Sequence, residues 1–536
     1  DKGNEKKEWF NIFHSRLSIL DVSIKGHQPM GDLSKRYLIT YNGEIYNYLK
    51  ITNFLKDKYS FSPQTNSDTE VLLYGYIFLG EEIFKKIEGI FAGVIIDKKE
   101  REIVVFRDRL GIKPLYIFKN NNNIIFGSTP LAIKKIFNNI NFKINQEALY
   151  LYCAFRSSGL LNSFYENIKL FPAASFSKIS RNKTITKKYW DLSFYIQQDK
   201  NRNTITKNAS KVRSLLYSSI QEQSISDVGI STFLSGGLDS SIIFKVLSEH
   251  NCKSIDAYSF KSNDINYDEL SSAKETSKIY KGKFNFSEFD YSDYESDIKY
   301  LTHLKCAPLN VANEYAIYKM SQKIRSNNKK VVMSGEGADE LFLGYSNIFY
   351  KAFNIGEKNT LSKEAISDWI FENYIYVKKE TISEWKILNL RKKEYEEISK
   401  SYILNIIKEL NKPSLITALN YFFLTHHLST LLSRLDNATM ATSIEGRVPF
   451  LSTKLIEFAC TIPFSQKVGK VTKNIFGKRV LYESFKDLPS WVLNKEKIGF
   501  KIGYINTESN KKFIKNDYLS TEEWHINSLK NFIETQ

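Results

Sequence analysis

Cysteine is scarce in this sequence. Cys153, Cys252, Cys306 and Cys460 are the only four in 536 residues, and no two form a CxxC pair. That spacing excludes a disulfide scaffold and a thiolate zinc site and points to a reducing, cytoplasmic setting. Seven histidines include one adjacent pair, His426-His427, without the spacing of metal ligands. No apolar run approaches the roughly 18 residues needed to span a membrane. The opening DKGNEKKEWF is charged instead of basic and then apolar, so no secretory leader is expected. The net charge is +17, yet the lysines are scattered (Lys6, Lys7, Lys98, Lys99, Lys392, Lys393, Lys511, Lys512) and form no stripe. Together with scarce alanine and abundant Lys, Asn, Ile, Phe and Tyr, this reads as the usage of an AT-rich genome and not as a nucleic-acid surface.

What is present suits packed globular domains. Apolar residues make up 42%, and a chain of this length divides into two or three cores. Residues 1–190 read as mostly β: RYLITYN, EIVVFRD and NIIFGST alternate between turn residues, with Asn120–Asn123 as a hairpin loop. A helix is expected from Ser67 to Leu79, capped by Ser67 or Asp68. The polar stretch around 193–208 reads as a linker, giving domains 1–195 and 209–536 with residues 196–208 between them. Beyond it VGISTFL, SIDAYSF and KKVVMSG each lead into a turn and a helix, the α/β signature of a parallel sheet with ligands at strand carboxyl ends. After Asn347 the chain reads as nearly all helical, with a long apolar-periodic run from Ser414 to Leu435.

The most specific string is FLSGGLDSS, Phe233–Ser241. A strand ends at Leu234, Gly236 and Gly237 allow a tight turn, and a helix begins near Ser240. Unpaired helix N-terminal amides then meet an anion directly, and Ser235 and Ser240 add hydroxyl donors. No lysine follows the glycines, so this is not a Walker A loop. The string fits the pyrophosphate loop of enzymes that split ATP between its α and β phosphates. A second strand–loop, VVMSGEGADELFLGY, carries Glu336, Asp339 and Glu340. Carboxylates beside polyphosphate are useful there for holding Mg²⁺ or moving protons.

These loops, with LSRLDNATMATSIEGRVPFL (432–451), resemble the glutamine-dependent asparagine synthetases. In the first half RLSILD, GHQPM, YNGEIYNY, TNSDTEV and FRDRLGIKPLY extend the resemblance over essentially the whole chain. It implies an N-terminal-nucleophile αββα sandwich, here incomplete, joined to a parallel-sheet adenine nucleotide α-hydrolase-like domain with extra helices. By resemblance, Arg16 and Asp68 grip the ends of glutamine, within a set that also includes Leu17, Ser18, Ile19, Leu20 and Glu44. Asn42 and the Gly43 amide form the oxyanion hole. Leu234, Phe260, Ser334 and Gly335 line an adenosine pocket. Ser235, Gly236, Gly237, Leu238, Asp239 and Ser240 hold pyrophosphate. Asp239 and Asp339 place Mg²⁺, Glu336 takes the proton from attacking ammonia, and Lys478 neutralises the departing pyrophosphate. ATP and Mg²⁺ are the implied cofactors; glutamine or ammonia and aspartate or another carboxylate are the implied substrates, with homodimerisation left open.

Three positions depart from the family pattern. Cys306-Ala307-Pro308 stands where relatives often carry Asp-Glu-Pro, Ser452 ends PFLS instead of PFLD, and Tyr482 replaces an arginine. The first leaves open an acceptor other than aspartate, such as a polysaccharide uronic acid, and a degenerate non-catalytic regulator is a further alternative. In the family the nucleophile is an N-terminal cysteine, followed by a strand and an Arg-Gly-Pro-Asp loop, and DKGNEKKEWF aligns only after these. The expectation is amide formation from ammonium and not from glutamine by these 536 residues.

Overall fold

The structure, a computed structural model, describes all residues except 121–122, 138–139, 251–253, 263–268, 291, 357–360, 383–389, 472–476, 496–520 and 535–536. Cys252 and the centre of the Asn120–Asn123 loop therefore lie outside the described residues.

Strands of the first half follow the alternation in the sequence. They are β1 (Lys2–Lys6), β2 (Asn11–Ser15), β3 (Met30–Gly31), β4 (Tyr37–Ile45), β5 (Gly89–Asp97), β6 (Glu102–Arg107), β7 (Tyr116–Lys119), β8 (Ile124–Gly127), β9 (Ile168–Leu170), β10 (Ser175–Ser180) and β11 (Lys183–Lys188). A six-stranded antiparallel sheet runs β11-β10-β6-β5-β4-β3, a three-stranded one β8-β7-β9, and β1 pairs with β2. Ala92 and Val105 of the large sheet pack on Leu115 and Phe171 beside the small one. Helices Tyr48–Tyr59 and Asp68–Leu79 cover the other face of the large sheet, and helix Pro130–Ile136 lies against the small one. The result is helix, sheet, sheet, helix. Ser67 caps the second helix by accepting from the Thr69 amide at 3.2 Å, a bond of about 1 kcal/mol.

The expected linker is largely structured at its ends. Asp191 caps a helix Leu192–Ile196, and Thr204 caps Ile205–Gln223 by accepting from the Lys207 amide. Polar composition hid the second helix because its apolar stripe (Ala209, Val212, Leu216, Ile220) begins only after its first turn. Between them, Lys200 Nζ donates to the Cys460 carbonyl at 2.6 Å and the Asn201 amide to Thr461 O at 2.7 Å.

In the second half β12 (Ile230–Phe233), β13 (Asp256–Lys261), β14 (Lys283–Glu288), β15 (Val331–Met333) and β16 (Glu445–Arg447) form a fully parallel sheet in the order β14-β13-β12-β15-β16. The chain winds outward from β12 to one side and then returns to lay β15 on the other. That makes the β12/β15 pair the switch point, where such sheets bind ligands. Among the described residues β16 is the one strand after Asn347, in a stretch that is otherwise helical as expected; Glu-Gly-Arg is too short to show a period and is a strand because β15 is beside it. The apolar run from Ser414 is continuous helix through Met440, but residues Phe423–His427 are π-helical. Among the described residues no helix is long and apolar enough to cross a membrane.

Candidate active sites

The SGGLDSS and SGEGADE loops leave β12 and β15 side by side at the switch point. Helix Leu238–His250 starts two residues earlier than its hydroxyl pattern suggested. Gly236 has φ +68°, and a Cβ there would stand 2.6 Å from the Ser272 side chain, so glycine is required. Ser240 Oγ accepts from the Ser235 amide at 3.1 Å and Ser235 Oγ from the Gly237 amide at 3.3 Å, folding the loop on itself. Leu234, Phe260 and Ser334 are buried around it. The Leu234 amide donates to Tyr258 O, and the Ser334 amide to Arg447 O at 2.9 Å. A Cβ on Gly335 would lie 3.1 Å from that of Asp239, so the loops are in contact.

Asp239 and Asp339 converge on one cation. Lys478 Nζ lies 2.6 Å from Asp239 Oδ2 and 2.7 Å from Asp339 Oδ1. Burial alone would lower the lysine's pKa; the two carboxylates outweigh it and hold the ammonium above the usual lysine value. Gly477 (φ +85°) and Lys478 (φ +52°) carry the side chain back under Phe342, whose carbonyl accepts the Lys478 amide at 3.1 Å. No cluster of three or more metal-ligating side chains exists among the described residues. Mg²⁺ needs only one or two carboxylates when phosphate oxygens complete its shell, and two aspartates already facing one positive charge fit that use.

Glu336 is ion-paired with Arg434, whose other Nη donates to Asn313 Oδ1 at 2.9 Å. Arg434 was legible only as a lone basic residue in an apolar helical run, and its role was missed. Behind the loop, Glu340 is buried and accepts from Tyr345 Oη at 2.6 Å; burial, then Asp339, pushes its pKa up to about 7. His427 Nε2 stands 3.0 Å from the same hydroxyl.

The second cluster lies at β4. Asn42 and Gly43 sit within the strand, opposite Ala92 and Phe91 of β5. Gly43 has φ +139°, and a Cβ there would stand 1.9 Å from Ile90 O, so the position admits no side chain. Glu44 and Asp68 are buried. Asp68 accepts from Tyr41 Oη and from the Ile45 amide at 2.8 Å. Burial pushes Asp68 up to about 6, and burial with the Asp68 charge raises Glu44 well above the carboxylate range, against Arg447. Arg16 is turned onto its own loop, donating to Leu20 O at 2.7 Å and Asp21 O at 2.8 Å. That loop, Arg16 through Leu20, is pinned across the domain boundary: Lys330 Nζ donates to Ser18 O and the Asp227 amide to Ile19 O, both at 3.1 Å. Leu17 lies in the same segment, partly exposed.

A parallel sheet with two glycine-rich loops at its switch point is thus joined to an antiparallel sandwich with a buried acidic cluster. Residues 211–525 match the family model of asparagine synthase, and residues 1–190 that of the glutamine amidotransferase domain. The chain is 31% identical over 515 residues to asparagine synthetase (glutamine-hydrolysing) 1 of Bacillus subtilis, covering 91% of this chain and 79% of that one. Asparagine synthetase (glutamine-hydrolysing) 3 of the same organism is 28% identical over 484 residues (85% and 74%). Asparagine synthetase B of Escherichia coli is 29% identical over 361 residues (65% and 58%). The chain belongs to the asparagine synthase family and is an ATP-dependent carbon–nitrogen ligase of that type.

Proposed function

We propose that the chain converts aspartate to asparagine. The acceptor carboxylate attacks the α-phosphate of ATP and pyrophosphate leaves; ammonia then attacks the acyl-adenylate, and AMP departs with loss of one proton. Backbone amides of Ser235–Ser240 and the Lys478 ammonium take up the charge that develops on the leaving pyrophosphate. Mg²⁺ held by Asp239 and Asp339 would supply further charge neutralisation there. Glu336, oriented by Arg434, accepts the ammonia proton. Asn42 and the Gly43 amide would serve as oxyanion donors in a glutamine site, with Arg16, Glu44 and Asp68 holding the substrate's charged ends. The observation that carries this reading is the meeting of Asp239, Asp339 and Lys478 between two glycine-rich loops at the switch point.

The test supplies ATP, Mg²⁺, ammonium and aspartate and separates the nucleotide products. AMP and pyrophosphate in step with asparagine are expected; ADP and phosphate, or turnover indifferent to aspartate, would overturn it.

A second reading, a larger carboxylate acceptor, is favoured by one feature. A cavity of about 1020 Å³ between the two halves is lined by Cys306, Ala307, Pro308, Ser433, Asp436 and Asn437, among others. It is at the upper end of small-molecule sites, which run to about 1,000 Å³, and many times the size of aspartate. Pyrophosphate release stimulated by a hexuronate and not by aspartate would select it.

A further inference from the structure

Arg447 touches both sites. Its carbonyl, ending β16, accepts the amide of Ser334, the first residue of the SGEGADE loop. Its guanidinium is fully buried and points the other way, across the domain boundary. Within its own half, Nε donates to Glu445 Oε1 at 2.9 Å, and Nη1 to the carbonyls of Gln223 at 2.6 Å and Ile225 at 2.8 Å. Nη2 faces Glu44 Oε2 at 3.5 Å, and the Tyr46 ring lies 5.4 Å from the guanidinium carbon.

The junction is held but not saturated. Arg447 Nη2, Glu44 Oε1, Tyr46 Oη and Gln223 Oε1 are buried without hydrogen-bond partners. Tyr46 and Gln223 also line a cavity of about 30 Å³, room for a bridging water. A buried ion pair of this kind adds little net stability, because desolvation offsets most of its attraction. What it supplies is direction: the guanidinium draws Glu44 Oε2 toward it at 3.5 Å without bonding it. β16 is three residues long, so a displacement at the Arg447 carbonyl reaches its side chain without a long strand to absorb it. Lys330, immediately before β15, grips Ser18 O, so the same strand pair meets the β4 site twice. Other ion pairs across the boundary, Lys50–Glu222, Lys113–Asp436, Lys188–Glu409 and Lys454–Glu88, involve no residue of the SGGLDSS or SGEGADE loops.

We propose that Arg447 is the positioning residue that couples the two sites. Nucleotide at Ser334 and Gly335 sets the lie of β16, Arg447 passes that setting to Glu44, and occupancy of the β4 site acts back on the nucleotide loop with equal free energy. The proposal rests on the roles given above to the two sites.

Hydrogen–deuterium exchange of the full chain, with and without α,β-methylene-ATP and Mg²⁺, tests it. In the wild type, residues 234–240 become protected and exchange in β4 slows about fivefold, the scale of ordinary coupling. Arg447→Lys keeps part of the β4 response. Arg447→Met, and Glu44→Gln should the first variant fail to fold, lose it while residues 234–240 stay protected. A merely structural arginine would lower the melting temperature of Arg447→Met and leave the β4 response of Glu44→Gln intact, which would overturn the coupling. So would a wild type in which residues 234–240 are protected and β4 does not respond. No protection at residues 234–240 would instead overturn the nucleotide site and the proposal with it.

Discussion

Beside β4, two carboxylates stand in the interior with one arginine at 3.5 Å from Glu44, whereas at the β12/β15 switch point two aspartates share a lysine at 2.6 and 2.7 Å. The Asp239 and Asp339 side chains keep 23% and 21% of their exposure; Glu44 keeps 4%. Burial therefore decides the first cluster, raising both acids, and pairing decides the second, raising the lysine. The first is built on a strand locked by nine register pairs, from Tyr37↔Asp97 to Ile45↔Gly89. The second is built where loops enter helices: Asp239 and Asp339 lie in first turns, and Lys478 immediately precedes a third helix. On the proposed roles the difference is useful: stabilising charge on a leaving pyrophosphate needs groups that stay ionised, whereas holding one small molecule suits a dry and rigid site.

The comparison predicts unequal damage. Asp239→Ala or Lys478→Met should cut pyrophosphate release about 10³-fold, the scale of losing a transition-state charge contact. A coupled pyrophosphate assay showing a loss of tenfold or less would mean that the shared lysine is only structural. Gly43→Ala should instead act on the fold, costing about 1–3 kcal/mol as an overpacked interior position, because its methyl would meet Ile90 O. Chemical denaturation reads the loss, and ammonium-dependent turnover of the folded fraction should stay at wild-type level. An unchanged midpoint would show that β4 is more pliant than its register implies.

The smallest effect is on pH. Burial lowers His14 to about 4 and His426 to about 3. A histidine depressed on folding binds fewer protons than the unfolded chain between its two pKa values, so stability is full above about 6.5 and declines as pH falls toward 4. Asp68 and Glu340, raised to about 6 and about 7, act with the opposite sign in the same window, so the histidine contribution is read as a difference: between pH 6.5 and 4 the melting temperature of His14→Gln should fall by several degrees less than that of the wild type. Equal falls in the two proteins would place the His14 ring closer to solvent than its surroundings indicate.

Much of the second site was legible because it is local. SGGLDSS and SGEGADE each carry strand end, turn and helix start within nine or so residues, and the Ser67 cap was visible for the same reason. The misses are contacts between distant parts. Nothing near Glu336 announces Arg434, and nothing in YNGE announces Arg447. β16 exists only through its neighbour. Pattern reading reports what a segment prefers, and these are positions where a partner overrules the preference.

The π-helical turn at Phe423–His427 has a consequence for how the second half tolerates change. It works as a phase shift. An α-helix advances about 100° per residue, and the wider turn inserts its extra residue upstream of Arg434. Removing one residue there would relax the turn to α geometry and rotate everything after it. Arg434 would swing off Glu336, and Asn437 off Glu314, without any residue of the active site being altered. The segment is thus a place where length, more than composition, is constrained.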